Sequence, residues 1–210
     1  MDEAIPGPGE ALNPGPPTRP RPAATVILLR DQPDGMQVLL AKRNPAARFM
    51  GGAWVFPGGA VGPSDGPGES GLRAAAVREL REETGVSLQD PASMVAFSRW
   101  ITPAEVRIRF DTWFFLAPSP PGAEPVPDGQ EMVDARWFDP PGALAAARAG
   151  EILLVFPTIR HLEQLAGFDS ASQLIEYARG REIKPVQPVV VGTGETARIV
   201  LPDEHERGGR

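Results

Sequence analysis

The chain has 210 residues, 41% of them hydrophobic and 23% charged, and no apolar run long enough to span a bilayer as a helix. It contains no cysteine, which excludes disulfides and thiolate metal sites and permits a reducing compartment. The formal net charge of -6 argues against a broad nucleic-acid-binding surface, leaving room only for a local basic pocket. With no secretory leader pattern and no retention address in the closing RGGR, the expected location is cytoplasmic.

Residues 1–22 hold seven prolines and three glycines and read as a disordered arm. A single domain is expected over 23–200, followed by a flexible tail over 201–210. AATVILLR and MQVLLAKR predict two strands around the turn DQPDG. AWVFPGG predicts a short strand entering a glycine turn, and GPSDGPGES a loop. GLRAAAVRELREET predicts a helix with Ser70 as N-cap and with Leu72, Ala76 and Leu80 facing the core. Strands are then expected at SMVAFSRWI, RIRFDTWFFLAP and EMVDARWFD. Helices are expected at PPGALAAARAG, PTIRHLEQLAGF and SASQLIEYARG, with a last extended segment at EIKPVQPVVVG. Strands on both sides of a helix give a mixed α/β domain.

The helix poses a problem of charge. Residues three and four apart are neighbours on a helix, so Glu79 meets both Glu82 and Glu83. Each like-charged pair costs an isolated helix roughly 0.2–0.5 kcal/mol. Glu82 and Glu83 also lie in the last turn, where the helix dipole disfavours anions. Partly buried at about 5 Å, such a pair would repel by roughly 3 kcal/mol. Arg78 and Arg81 offset part of this. A solvated Glu/Arg face is the plain reading. A hard divalent cation such as Mg²⁺ or Mn²⁺ would remove both conflicts together, and it prefers clustered carboxylate oxygens. Zinc would find few ligands, because only His161 and His205 are available and both are expected at the surface. Upstream, FPGG at 56–59 lets the backbone come close to a metal or phosphate, or simply makes a tight turn.

RELREETGV at 78–86 resembles the second half of the Nudix box (Arg-Glu-apolar-x-Glu-Glu-x-Gly-apolar) without a mismatch, with FPGG in the place of the family's loop before the helix. The resemblance implies an α/β/α sandwich with a mixed sheet and a metal-binding loop-helix-loop. It implies Mg²⁺- or Mn²⁺-dependent cleavage of a nucleoside diphosphate joined to another group. It further implies that Glu79, Glu82, Glu83 and the carbonyl of Gly58 bind metal, with Arg78 orienting the carboxylates. The first half of the box departs from the pattern. Ser70 and Ser64 stand where the family has a glutamate and a glycine, Glu69 lies one residue early, and the loop after Gly59 is longer than usual.

LLAKRNPAARFMGGAWVFPGG at 39–59 is similar to the signature of the coenzyme A diphosphatases within that family. Leu39, Leu40, Arg43, Arg48, Gly52 and Phe56 to Gly59 fall in register, while Ala41 and Asn44 depart from it. The resemblance implies CoA or acyl-CoA as substrate and 3′,5′-ADP and (acyl-)phosphopantetheine as products. Arg43 and Arg48 would fork onto phosphate oxygens, with Phe56 and Gly59 also at the substrate. Either Glu79 or Glu131 would serve as base. ADP-ribose, NADH or another dinucleotide is the alternative substrate, and a non-catalytic nucleotide-binding module is the alternative of another class. The expected partner is a nucleoside diphosphate-linked small molecule rather than nucleic acid or membrane, with a homodimer allowed. Trp54, Trp100, Trp113 and Trp137 are expected in the core and are given no ligand role.

Overall fold

A computed structural model describes residues 12–13, 15–48, 50–192 and 197–203. In chain order the strands are β1 (Arg21–Gln32), β2 (Gly35–Arg43), β3 (Ala53–Val55) and β4 (Gly58–Ala60). The first helix, α1 (Gly68–Thr84), leads to β5 (Val95–Ile101), β6 (Phe110–Pro118) and β7 (Met132–Phe138). Then come α2 (Pro140–Arg148), β8 (Leu153–Leu154), α3 (Phe156–Leu165) and α4 (Ala171–Ala178), and finally β9 (Pro185–Val186), β10 (Val189–Val191) and β11 (Arg198–Val200). The main sheet runs β8-β3-β2-β1-β6-β5-β9, with β4 added on β1 and β7 on β2. β1 pairs in parallel with β6 and antiparallel with β2, so the sheet is mixed.

β1 explains the layering. Its residues Ala23 to Leu29 are buried without interruption, as a strand covered on both faces must be. Ala24, Val26 and Leu28 pack with Ala75, Ala76 and Leu80 of α1. Their neighbours Ile27 and Leu29 point the other way, into a core shared with Ala143 of α2, Leu162 and Leu165 of α3 and Leu174 of α4. One helix covers one face and three cover the other, which is the expected α/β/α sandwich.

The helix departs from expectation at its start. α1 begins at Gly68 with Pro67 at the N-cap position. Ser70 lies within the first turn, and its hydroxyl donates to the Pro67 carbonyl, so it caps nothing. At the other end Gly85 adopts φ 70° and returns its N–H to Arg81 O at 2.9 Å, a left-handed cap that suits glycine.

His161 is corrected from surface to core. It is 1% exposed on α3, its Nε2 lies 2.6 Å from the Ser98 hydroxyl, and the rings of Phe56, Phe97, Trp100 and Phe114 surround it. The stripe that buries Leu162 and Leu165 carries it inward, and Ser98 partners it there. Burial holds its pKa down at about 4. His205, the other histidine expected at the surface, lies outside the described residues.

Within the stretch expected as an arm, β1 already begins at Arg21. Leu12 bridges Val106, the Thr18 hydroxyl donates to Arg107 O, and the buried Arg109 donates to Thr18 O at 2.7 Å. β8 and β11 were not expected, being too short to show any periodicity. No helix among the described residues is long and apolar enough to cross a membrane.

Candidate active site

The geometry of α1 sorts its acidic residues. Glu83 continues the inward stripe of Ala76 and Leu80 and is 3% exposed, whereas the Glu82 side chain is turned outward and is 51% exposed. β4 runs past the helix at this level, and the Gly58 N–H donates to Glu83 Oε2 at 2.9 Å. Gly58 is needed for the close approach of the two backbones, and Gly59 leaves room for a side chain. A Cβ at Gly58 would lie 2.5 Å from Ala24 O, and one at Gly59 would lie 2.5 Å from Glu79 Oε1. Gly59 therefore makes the room that the Glu79 carboxylate occupies.

Arg78 joins the group together. Its Nη1 donates to Glu79 Oε1 at 2.8 Å and to Glu82 Oε2 at 3.0 Å, and its Nη2 donates to Ala60 O at 3.2 Å. The remaining edge of the guanidinium, Nε and Nη2, grips both oxygens of Asp65 at 2.9 Å each. Arg78 holds the Asp65 carboxyl below the usual range, and its own pKa is raised in return.

A second group faces the same side of the sheet. Along β7, Ala135 and Trp137 pack toward α1; the pairing with β2 slips at Lys42/Arg43, and Glu131, just before the strand, comes near enough to act on Glu79 and Glu83. On β2, Leu39 packs toward α1 and Arg43 shares its parity. Arg43 and Glu131 both act on Glu83. Burial pushes the Glu83 carboxyl up to about 8, opposed by the Gly58 N–H and Arg43 and reinforced by Glu79 and Glu131. Burial raises Glu79 as well, against the pull of Arg78 and with Glu82 and Glu131 adding to the rise.

The Glu131 backbone is clamped. Asp128 accepts the N–H groups of Glu131 at 3.0 Å and Met132 at 2.7 Å. Asn44 donates its backbone N–H to Glu131 O and its side-chain amide to Gln130 O, each at 2.8 Å.

The structure thus gathers Arg78, Glu79, Glu82, Glu83, Gly58, Gly59, Arg43 and Glu131. Arg48 is exposed on the turn after β2, outside this group. Phe56, expected at the substrate, is 4% exposed and lies in the core on the opposite face, against His161. It is a packing residue, carried there because adjacent residues of an extended segment point to opposite sides. Asp65 and Asp128 escaped sequence reasoning. The Asp-Gly-Gln-Glu pattern at 128–131 is an Asx-turn signal that could have found Asp128. Asp65 sits in a glycine-proline loop with no local cue to its distant partner.

The charge conflict in α1 is met here by protein groups, with Arg78 between Glu79 and Glu82 and the Gly58 amide on Glu83. As the side chains stand, no three carboxylates or imidazoles among the described residues are drawn close enough to hold an ion. The donor set is nonetheless all carboxylate oxygen, the chemistry a hard divalent cation prefers. A cation beside Glu83 would also reverse the burial penalty that keeps this carboxyl protonated.

The NUDIX domain family matches residues 19–155. The human acyl-coenzyme A diphosphatase NUDT19 is 25% identical over 288 aligned positions, covering 90% of this chain and 74% of that protein. Nudix hydrolase 7 of Caenorhabditis elegans is 29% identical over 209 aligned positions, covering 82% of this chain and 69% of that protein. Among solved structures, a NUDIX hydrolase from Alicyclobacillus acidocaldarius superposes with a TM-score of 0.68 at 26% identity, covering 76% of this chain and 96% of that one.

Proposed function

Because the chain belongs to the NUDIX family, whose hydrolases act on pyrophosphate bonds with divalent metal ions, we propose that it cleaves the pyrophosphate of CoA or acyl-CoA. The products are 3′,5′-ADP and phosphopantetheine or its acyl form. One observation carries this reading: a cationic side chain, Arg43, acts on the buried Glu83 together with Glu79 and Glu131, so a guanidinium and three carboxylates meet at one place. Cation-binding carboxylates beside a guanidinium are what a pyrophosphate needs at its two sides. The register of 39–59 with the CoA signature and the similarity to an acyl-coenzyme A diphosphatase support the choice of substrate.

Glu79, Glu82, Glu83 and the carbonyl of Gly58 would hold Mg²⁺ or Mn²⁺. When bound, such an ion neutralises charge on the pyrophosphate and lowers the cost of deprotonating water. Arg78 orients Glu79 and Glu82. Arg43 binds phosphate oxygens; Arg48, exposed on the following turn and outside the group, has only its register with the CoA signature to support such a role. Glu131 takes the proton of the attacking water. Glu79 is the less suited base, because its Oε1 already accepts from Arg78.

The test is mass spectrometry of products from CoA, an acyl-CoA, ADP-ribose and NADH, with Mg²⁺, Mn²⁺ or EDTA. Metal-dependent 3′,5′-ADP from the CoA substrates is expected. AMP from ADP-ribose or NADH alone would transfer the activity to dinucleotides, and loss of all turnover would favour a binding module.

A further inference from the structure

The geometry points to Asp65 as the positioning residue for Arg78, a buried loop carboxylate that grips its guanidinium from outside the helix. The inference rests on reading Glu79, Glu82 and Glu83 as cation ligands, and it concerns how they are presented. Arg78 has one planar fork and four partners. Its Nη1 must reach Glu79 and Glu82 together, which fixes the plane of the guanidinium. Something has to hold the opposite edge in that plane. Asp65 does so with both oxygens at 2.9 Å, the bidentate match of carboxylate to guanidinium.

Asp65 is built for this duty. Its side chain is 4% exposed, and its Oδ2 also accepts the Gly62 N–H at 2.7 Å. It ends a short 3-10 turn, Pro63–Asp65, with Pro67 two residues on. The acid and the hydroxyl of the helix's first turn are occupied elsewhere. Glu69 is exposed and pairs with Arg73 at 2.8 Å, while the Ser70 hydroxyl donates to Pro67 O. The long loop after Gly59 is therefore what returns a carboxylate to Arg78.

Two consequences follow for the glutamates. Asp65 pins Arg78, so that its Nη1 alone leans on them. It also balances the arginine's charge, so that less of that charge competes with a cation for Glu79 and Glu82. Without Asp65 the guanidinium would close onto the two carboxylates and cover the oxygens a metal uses.

The experiment is a titration of chelator-stripped full-length protein with Mn²⁺, followed by the electron paramagnetic resonance of the free ion, with kcat and KM measured in parallel. Asp65→Asn should weaken Mn²⁺ binding by about tenfold, within the range known for residues that orient metal ligands. Its kcat should fall by a similar factor with KM little changed. In an Arg78→Ala background, Asp65→Asn should cost less than about twofold more, because both act through one fork. Wild-type Mn²⁺ affinity in Asp65→Asn, or losses that multiply in the double variant, would overturn the assignment. Should Asp65→Asn fail to fold, Arg78→Lys breaks the same fork from the other end, and unchanged Mn²⁺ affinity there is equally fatal. Mn²⁺ binding that depends on Asp65 without turnover of any pyrophosphate would leave this inference standing and remove the substrate reading. A wild-type protein that binds no Mn²⁺ would remove both.

Discussion

The two faces of the sheet bury titratable side chains in opposite ways. On the α1 face Glu83 is buried beside Glu79 and Glu131, with Arg43 and a backbone N–H as its relief. On the opposite face His161 is buried among aromatic rings with the Ser98 hydroxyl as its partner. Burial drives both toward their neutral forms. The surroundings then separate them. Around His161 nothing described favours the charged form strongly, so neutrality is a settled state. Around Glu83 a cation would make the charged form the stable one, so neutrality there is conditional. A buried ionisable group is structural when its neighbours agree with its neutral state, and a site when they are arranged to reverse it.

Four experiments bear on that contrast. The largest effect is expected from Glu82→Gln. Loss of a cation ligand worth several kcal/mol should lower turnover by about a thousandfold with little change in thermal stability. Unchanged turnover would take Glu82 out of the metal set.

Next comes the pH dependence of the α1 face. The Glu83 carboxyl has a folded pKa of about 8 against an ordinary 4.5. Its contribution to stability is therefore fully present below pH 4.5 and is lost as the pH rises toward 8. In EDTA that loss should be on the order of 3 kcal/mol, to be measured by denaturant unfolding across this range. Mg²⁺ should restore it at pH 8 and do nothing at pH 5. Glu83→Gln should flatten both responses.

The opposite face should show the opposite sign. His161 has a folded pKa of about 4 against an ordinary 6.5, so its contribution is present above pH 6.5 and fades as the pH falls toward 4. A decline of about 2 kcal/mol, indifferent to Mg²⁺, is expected in the same unfolding series. If His161→Gln keeps the full decline, the loss belongs to other groups.

The smallest effect tests the Glu131 clamp. Asn44→Ala removes the side-chain hold on Gln130 O and the turn bond from the Ala46 N–H, and should lower kcat by about tenfold with a small loss of stability. The same change made on Glu131→Gln should add nothing.

The sequence made the outline of this molecule legible because its signals were local. The burial of β1 is written in a continuous apolar run, α1 in its spacing, and its end in Gly85. The three glutamates and Arg78 were found because the helix places them at neighbouring positions. The supports were illegible for the converse reason. Asp65 and Asn44 act across loops on residues far along the chain, and only the folded backbone joins them. His161 and Phe56 were misplaced because each is isolated in its pattern. One is a polar residue in an apolar stripe, and the other is a motif residue between β3 and β4 whose ring packs into the core on the far face.

The parallel pairing of β1 with β6 carries a consequence for how the protein is made. β6 is Phe110–Pro118, so β1 waits for its central neighbour until the helix with the glutamates has long been synthesised. The contact that closes the sheet is non-local, and such contacts form late and slowly. During synthesis α1 therefore exists as a charged amphipathic segment with half a platform, its apolar stripe only partly covered. A nascent chain ending shortly after Gly85 should be bound by chaperones and blind to Mn²⁺, and metal affinity should arise only once β6 has left the ribosome.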